Sequence, residues 1–586
     1  MPTAKAKDRR GTLRRLWTGF GVQRRRIYAV LALVLADCAL LLSVPWLIGR
    51  GIDTMSAKAG LGAAAASDAL ATILAVLVAA WAGDALLSVL AGWTMAGASQ
   101  EIVKSLRKNL FGKLQRLPVS LFDSWSHGDL MSRLTNDVDN VSSTIAQSTS
   151  QLFSTVITIL GSLALMLALS PLLTLAALVT VPLVFALTRT VSKRTRILFK
   201  RQQATLGALN GHIEESVSGM AVVKAFGREA AVTADFDDLN ADLRDIGTGA
   251  QIWSGFIMPL MNVINNLGFA AVAAVGGILA VKGLVTVGVI ASFIAYSRQF
   301  ARPLNDLANT WNSLQTALAG AERVFEVMDQ AEEAADRPSA VGATALRGEV
   351  SFEGVRFSYK PGIPVLDGVS FNAPAGSVTA LVGPTGAGKT TIANLLTRFH
   401  DVEAGSVRID GIDLRDYRRD SLRRAFGIVL QDSYLFSGTI RDNILYGKPE
   451  ASAGEVRRAV EAANAAGFID RLPQGLDSVL GEGGSPLSEG QRQLVAIARA
   501  ILADPAILVL DEATSSVDTR TELHIQEAMI GLMEGRTSFV IAHRLSTIRK
   551  ADRILVIDGG RIVESGSHGE LMAMDGLYRR MYSGQA

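Results

Sequence analysis

From Asn140 to Thr188 the chain runs through 49 positions without one ionisable side chain. As a single helix rising 1.5 Å per residue, this run would be roughly 70 Å long. A bilayer's hydrocarbon core is only about 30 Å thick. The run therefore has to cross a membrane twice. Ser170-Pro171, near its middle, supplies the break, because proline has no N–H to give and its ring collides with the preceding helical turn. Comparable apolar stretches at about Ile27 to Ile48, Ala69 to Trp93, Gly255 to Val281 and Val285 to Phe300 bring the expected spans to six.

The balance of residues agrees with this. With 49% apolar and 19% charged residues, neither a disordered chain nor one that coats nucleic acid is compatible, so no nucleic-acid partner is expected. Lys and Arg (58) nearly cancel Asp and Glu (55), so any basic surface has to be local. The lone cysteine, Cys38, rules out an intrachain disulfide and a zinc site built from several cysteines.

Lys5, Lys7, Arg9, Arg10, Arg14, Arg15 and Arg24 to Arg26 precede the first span, and positive charge of this density stays cytoplasmic. With six spans, both termini are then inside. The two long charged loops, after spans two and four, also fall on the cytoplasmic side. Each reads as helical extensions with a turn in the middle, at Leu121-Phe122-Asp123 to Gly128-Asp129-Leu130 and at Glu215 to Gly219. The expected organisation is a basic segment (1–26), an all-α membrane domain (27–330), a linker (331–347) containing Pro338, and a soluble α/β domain (348–586) of alternating short strands and charged helices.

In that soluble half, Ser377 to Val382 reads as a buried strand. Gly383, Pro384, Thr385, Gly386, Ala387, Gly388, Lys389 and Thr390 follow, and then an apolar-periodic helix from Thr391. This is G-x-x-x-x-G-K-[ST] in the strand-to-helix setting it requires. The glycines let main-chain N–H groups turn toward phosphate oxygens, the helix start adds its positive dipole, Lys389 adds a point charge and Thr390 suits Mg²⁺. A second strand, Ala506 to Leu510, ends in Asp511 and Glu512 at the carboxyl edge of a parallel sheet, where α/β folds bind ligands. Asp511 suits the metal shell, and Glu512 suits polarising a water. A third strand, Thr537 to Ile541, brings His543 to the same edge. Leu487-Ser488-Glu489-Gly490-Gln491 opens a long helix as a capping box and leaves a second set of free N–H groups for an anion.

In this order, the set resembles the nucleotide-binding domain of the ABC transporter family, and the six-span half in front resembles its exporter-type membrane domain. The likeness covers nearly the whole chain. It implies ATP and Mg²⁺ as ligands, with Tyr359 stacking on adenine and Gln431 sensing metal and attacking water. It further implies Ser488, Glu489, Gly490 and Gln491 as the signature that touches ATP across a dimer, Asp518 in the loop at that interface, and His543 at the γ-phosphate. The turns near Phe122 to Asp129 and Glu215 to Gly219 look like coupling helices. A second half-transporter is thus an implied partner. Glu489 departs from the family pattern, which has glycine there. A carboxylate aimed at a γ-phosphate repels it by a few kcal/mol at an effective dielectric near ~20. An intact Glu512 and His543 beside an altered signature is similar to one subunit of heterodimeric exporters, so a heterodimer is expected over a homodimer.

Charge inside a span is costly, so Asp37, Asp84 and Arg298 are expected to face the bundle interior, either paired (for instance Asp37 with Arg298) or in contact with cargo. Asn262, Asn265 and Asn266 recur at i, i+3 and i+4 and share one polar face with the same two possible uses. The expected activity is ATP-driven export of a small lipophilic, peptidic or lipid-like compound across the cytoplasmic membrane. Import of a metallophore-like solute on the same architecture is the alternative.

Overall fold

The computed structural model describes residues 8–19, 21–58, 63–144, 148–360, 362–430, 433–512, 518–542 and 545–584. It separates into two compact units, Met1–Gln115 with Ser126–Gln330, and Arg116–Trp125 with Ala331–Ala586.

The first unit is helical. Among the described residues five helical stretches are long and apolar enough to cross a membrane: Arg24–Ser56, Leu70–Leu114, Ser150–Leu169, Pro171–Ser218 and Glu229–Val281. The sixth expected span, Val285 to Phe300, opens the 42-residue helix Val287–Met328, where Arg298 and Gln299 lower the apolarity. The break expected in the uncharged run is at Ser170. Its extended backbone ends helix Thr149–Leu169, and its hydroxyl accepts the Leu173 N–H at 3.4 Å to start helix Pro171–Leu178. The second turn lies a few residues beyond the expected Glu215 to Gly219. Helix Thr180–Ser218 stops at Gly219, the short helix Met220–Ala225 follows, and helix Glu229–Gly255 returns antiparallel to the first.

Polar contacts fix how these helices meet. Asp53, near the end of helix Arg24–Lys58, accepts the Thr286 hydroxyl at 2.7 Å and the Gly288 N–H at 2.8 Å, so one helix caps the start of another. Their backbones touch there, because a Cβ added at Gly288 would stand 2.1 Å from the Gly49 carbonyl oxygen. Small residues at such crossings let membrane helices approach closely. Nearby, the fully buried Tyr296 donates its hydroxyl to the Leu42 carbonyl at 2.6 Å, within a core of Met166, Leu173, Val272 and Phe293. The expected pairing of Asp37 with Arg298 is not what forms. Asp37 instead meets the carboxyl of Asp84 on the adjoining helix.

In the second unit a six-stranded sheet has the spatial order Arg561–Gly566, Arg553–Asp558, Val378–Val382, Thr537–Ala542, Ile507–Glu512, Phe426–Val429. Its five consecutive members from Arg553–Asp558 onward are parallel, and Arg561–Gly566 is antiparallel. Parallel strands are covered on both faces, which is why they read as unbroken Val, Ile and Leu runs. A four-stranded antiparallel sheet carries Val350–Phe357 and Leu366–Ala373. The segment 331–347 is anchored to this unit. Val341 N–H donates to Asp416 O at 2.9 Å, Arg418 N–H donates to Val341 O at 2.8 Å, and Glu333 pairs with Arg423. The boundary of the membrane half is also interrupted, since Arg116–Trp125, with its short helix Val119–Ser124, clusters with the soluble half.

Gly288→Val should drive a side chain into the Gly49 carbonyl and cost at least about 1–3 kcal/mol. Thermal unfolding in detergent should fall markedly for this variant and little for Gly277→Val, where an added Cβ meets open space.

Candidate functional site

Parallel register brings three strand ends to one edge. Ile541 pairs with Leu381 and with Asp511, and Ala542 with Glu512. The loop after Val382, the acidic pair and the chain entering position 543 therefore leave the sheet side by side. Glu512 is the last residue of its strand. His543 and Gln431 lie outside the described residues.

The loop Gly383 to Gly388 owes its shape to backbone that only glycine adopts easily. Gly388 sits at φ +104°, and a Cβ there would come within 2.7 Å of Leu366 Cδ2 and 3.2 Å of Val365 O. Helix Lys389–Leu396 begins directly after it, with its free N–H groups facing the loop. Lys389 is buried, and its Nζ donates to the carbonyls of Gly383 (2.8 Å) and Pro384 (2.9 Å). Burial pulls the Lys389 ammonium below its usual range, while the negative charge of Asp511 pushes it back up. A cation that is short of water and beside one carboxylate gains strongly from a polyanion. Pro384, Thr385, Gly386 and Thr390 are exposed along the loop, whereas Ala387 and Thr391 are buried.

Tyr359, half exposed, is held from behind. Its hydroxyl donates to Thr391 Oγ1 at 3.3 Å and accepts from Asn394 Nδ2 at 3.2 Å, so the ring is tied to the phosphate-loop helix. Sequence reasoning passed over its neighbour His400. This imidazole is 9% exposed and meets the edges of Tyr359 (5.2 Å) and Phe357 (5.3 Å). Its Nε2 lies 3.5 Å from Asp123 Oδ2, without hydrogen-bond geometry. A residue of the first cytoplasmic turn thus reaches the ring that frames the site. No local pattern marks His400, because its partners are about 40 and 280 residues away.

At helix Glu489–Ala503 the capping box is complete. Gln491 N–H donates to Ser488 Oγ at 3.3 Å, and Ser488 N–H to Gln491 Oε1 at 3.0 Å. Glu489 stands in the first turn, and Gly490 is buried. Asp518 caps helix Thr519–Met533 by accepting the Thr521 N–H at 3.0 Å, and that bond holds its carboxyl below the usual range.

In the helical unit, Asn262, Asn265, Asn266 and Arg298 come together with Thr180, Phe269 and Ser297 around a pocket of about 520 Å³. Asp37 and Asp84 do not line this pocket.

The chain matches the family model of the ABC transporter transmembrane region over residues 27–304 and that of the ABC transporter over residues 366–515. A relative in Bacillus subtilis (strain 168), an uncharacterized ABC transporter ATP-binding protein, is 48% identical across 99% of this chain and 95% of its own length. The chain belongs to the ABC transporter family. As an ABC transporter it carries membrane and ATPase regions in one polypeptide, binds ATP, and couples its hydrolysis to transport. A fatty acid ABC transporter ATP-binding/permease protein of Mycobacterium tuberculosis (strain CDC 1551 / Oshkosh) is 43% identical over 99% of this chain and 97% of that one. A solved bacterial Atm1-family ABC exporter with ATP bound superposes with a TM-score of 0.75 at 34% identity, covering 96% of this chain and 99% of the other.

Lys389→Ala should raise the ATP dissociation constant at least tenfold in a calorimetric titration, because the loop loses its buried cation. His400→Ala should weaken ATP severalfold in the same titration by freeing the Tyr359 ring. An unchanged affinity in either variant contradicts the corresponding assignment.

Proposed function

We propose that this ABC transporter exports a lipophilic or lipid-like compound from the cytoplasmic side of the membrane, with both termini and the ATPase half inside. The observation that carries this reading is a pocket within the spans in which three asparagines, Arg298, Thr180 and Ser297 are set against Phe269, Val272 and Ile294. Val272, Ile294 and Phe269 suit a chain or ring, and the amides suit a polar group. The fatty acid relative, and a lipid A-core flippase of Syntrophus aciditrophicus (strain SB) that is 39% identical over 83% of this chain, support cargo of this kind.

In the ATPase half, the loop Gly383 to Thr391 binds the phosphates and Tyr359 stacks on adenine. Glu512 takes a proton from the attacking water. Gln431 and His543 orient that water and the γ-phosphate. The hydroxyl of Thr390 and the carboxylate of Asp511 are hard oxygen donors, and with the amide oxygen of Gln431 they fit Mg²⁺, which is bound through one or two carboxylates together with phosphate and water oxygens. When bound, the ion neutralises charge on the phosphates. A second half-transporter completes the site, with Ser488, Gly490 and Gln491 of each signature helix presenting free N–H groups to the partner's ATP and Asp518 beside that contact. Glu489 adds a carboxylate where the triphosphate of the partner would sit. That favours a heterodimer in which this chain's own phosphate loop is the hydrolysing one.

Glu512→Gln should keep ATP affinity within about twofold and lower hydrolysis by two orders of magnitude or more in a phosphate-release assay. Retention of ordinary turnover removes Glu512 as the base. Expression of the single chain as a stable dimer with full ATPase activity removes the case for a heterodimer.

A further inference from the structure

Helix Thr180–Ser218 carries a face that nothing above uses. Arg189, Lys193, Arg196 and Lys200 recur at i, i+4, i+7 and i+11, so they project along one side, with Arg201 at its margin. They line a surface recess of about 920 Å³ with Ser192 and Ile197. The opposite side of the helix is the packed one. Val191 and Thr195 are buried there, and Arg194 lies 5.8 Å over the Trp253 ring on helix Glu229–Gly255. Among the described residues, none of the five cations in the recess has an ion pair or side-chain hydrogen bond, although helix Glu229–Gly255 carries Asp235, Asp237, Asp238, Asp242 and Asp245. Like charges one turn apart repel, so the arrangement weakens its own helix.

Depth gives this face a meaning. Counting from Pro171, about 20 residues cross the hydrocarbon, which sets its cytoplasmic boundary near residue 190. The cations begin there, in the head-group layer, and extend over roughly 18 Å along the axis. Above them the same helix exposes Phe185 and Leu183. Thr180, roughly 14 Å above Arg189 and on the opposite, packed side of the helix, lines the pocket that holds Arg298. Among the described residues Arg298 has no carboxylate partner either, its guanidinium standing 5.9 Å over Phe269. Helix Thr180–Ser218 thus presents cations at the membrane surface with apolar side chains above them, and a further cation, Arg298 on helix Val287–Met328, stands among amides in the pocket that Thr180 borders from the other side of the helix.

We propose that the Arg189 to Lys200 face captures the anionic head group, a phosphate or carboxylate, of a membrane amphiphile and delivers it to the pocket around Arg298. This rests on the transport reading and narrows its cargo to anionic amphiphiles. Five cations with no ion pair among the described residues provide the charge complement, and the apolar stretch above provides for the tail. Inorganic phosphate alone would gain only the first.

The test uses the full chain with its partner subunit in nanodiscs of phosphatidylcholine. Decyl phosphate, decyl maltoside and inorganic phosphate are titrated while ATP hydrolysis is recorded. Decyl phosphate should stimulate at a concentration at least tenfold below decyl maltoside, and added salt should erode that difference. The combined variant Lys193→Gln, Arg196→Gln, Lys200→Gln should raise the half-saturating decyl phosphate at least tenfold and leave decyl maltoside unmoved. Lys193→Arg with Lys200→Arg should keep the original value, which separates loss of charge from loss of fold. Equal responses to both detergents, an unshifted triple variant, or stimulation by inorganic phosphate alone would overturn the head-group site while leaving the transporter intact. If no amphiphile alters hydrolysis and none is moved, the cargo reading fails together with the site.

Discussion

Everything in the ATPase half depends on a buried lysine held at the start of a helix by a loop of its own carbonyls. Lys389 has lost much of its water, has Asp511 as a nearby counter-charge, and is fixed by Gly383 and Pro384. Such a cation, aligned with the N–H groups of helix Lys389–Leu396, is a site organised before its ligand arrives. The glycines let the loop close this tightly, and the parallel sheet places Asp511 near Lys389.

The membrane half answers to a different constraint. Within lipid every backbone group has to be satisfied by its own helix, so the chain is helical wherever it is uncharged. Specific contacts are then few and polar: Asp53 capping the helix that begins at Val287, Tyr296 on Leu42, and the salt-bridged cluster of Arg133, Asp129 and Glu326 beside Asp137 and Arg323. Polar contacts of this kind set which helix neighbours which while leaving the apolar faces to lipid. The segment Arg116–Trp125 clusters with the soluble half, and its Asp123 reaches His400 beside the Tyr359 ring. A movement of that turn would be felt where adenine is expected to stack.

How much of this was legible in the sequence follows from how local each signal is. The phosphate loop, the acidic strand end and the capping box are encoded within a dozen residues each, so spacing alone identified them. The break at Ser170 was legible for the same reason. Pairings across the fold were not. Asp37 meets Asp84 rather than Arg298 because helix rotation, which apolar runs do not specify, decides which carboxyl faces which neighbour. His400 was missed because its role exists only once Asp123, Phe357 and Tyr359 are folded around it. The linker expected at 331–347 follows from composition, which says nothing of the contacts by which Val341 and Glu333 bind it to the ATPase unit through partners some 75 to 90 residues further on.

The central claim is that ATP cleavage at this sheet edge moves an amphiphile across the bilayer, and transport by the reconstituted protein tests it most directly. With the ATPase half outward and ATP added outside, a labelled fatty-acid-like amphiphile placed in the outer leaflet should appear inside the vesicle only while ATP is consumed. Steady hydrolysis with the label left where it began would contradict the account.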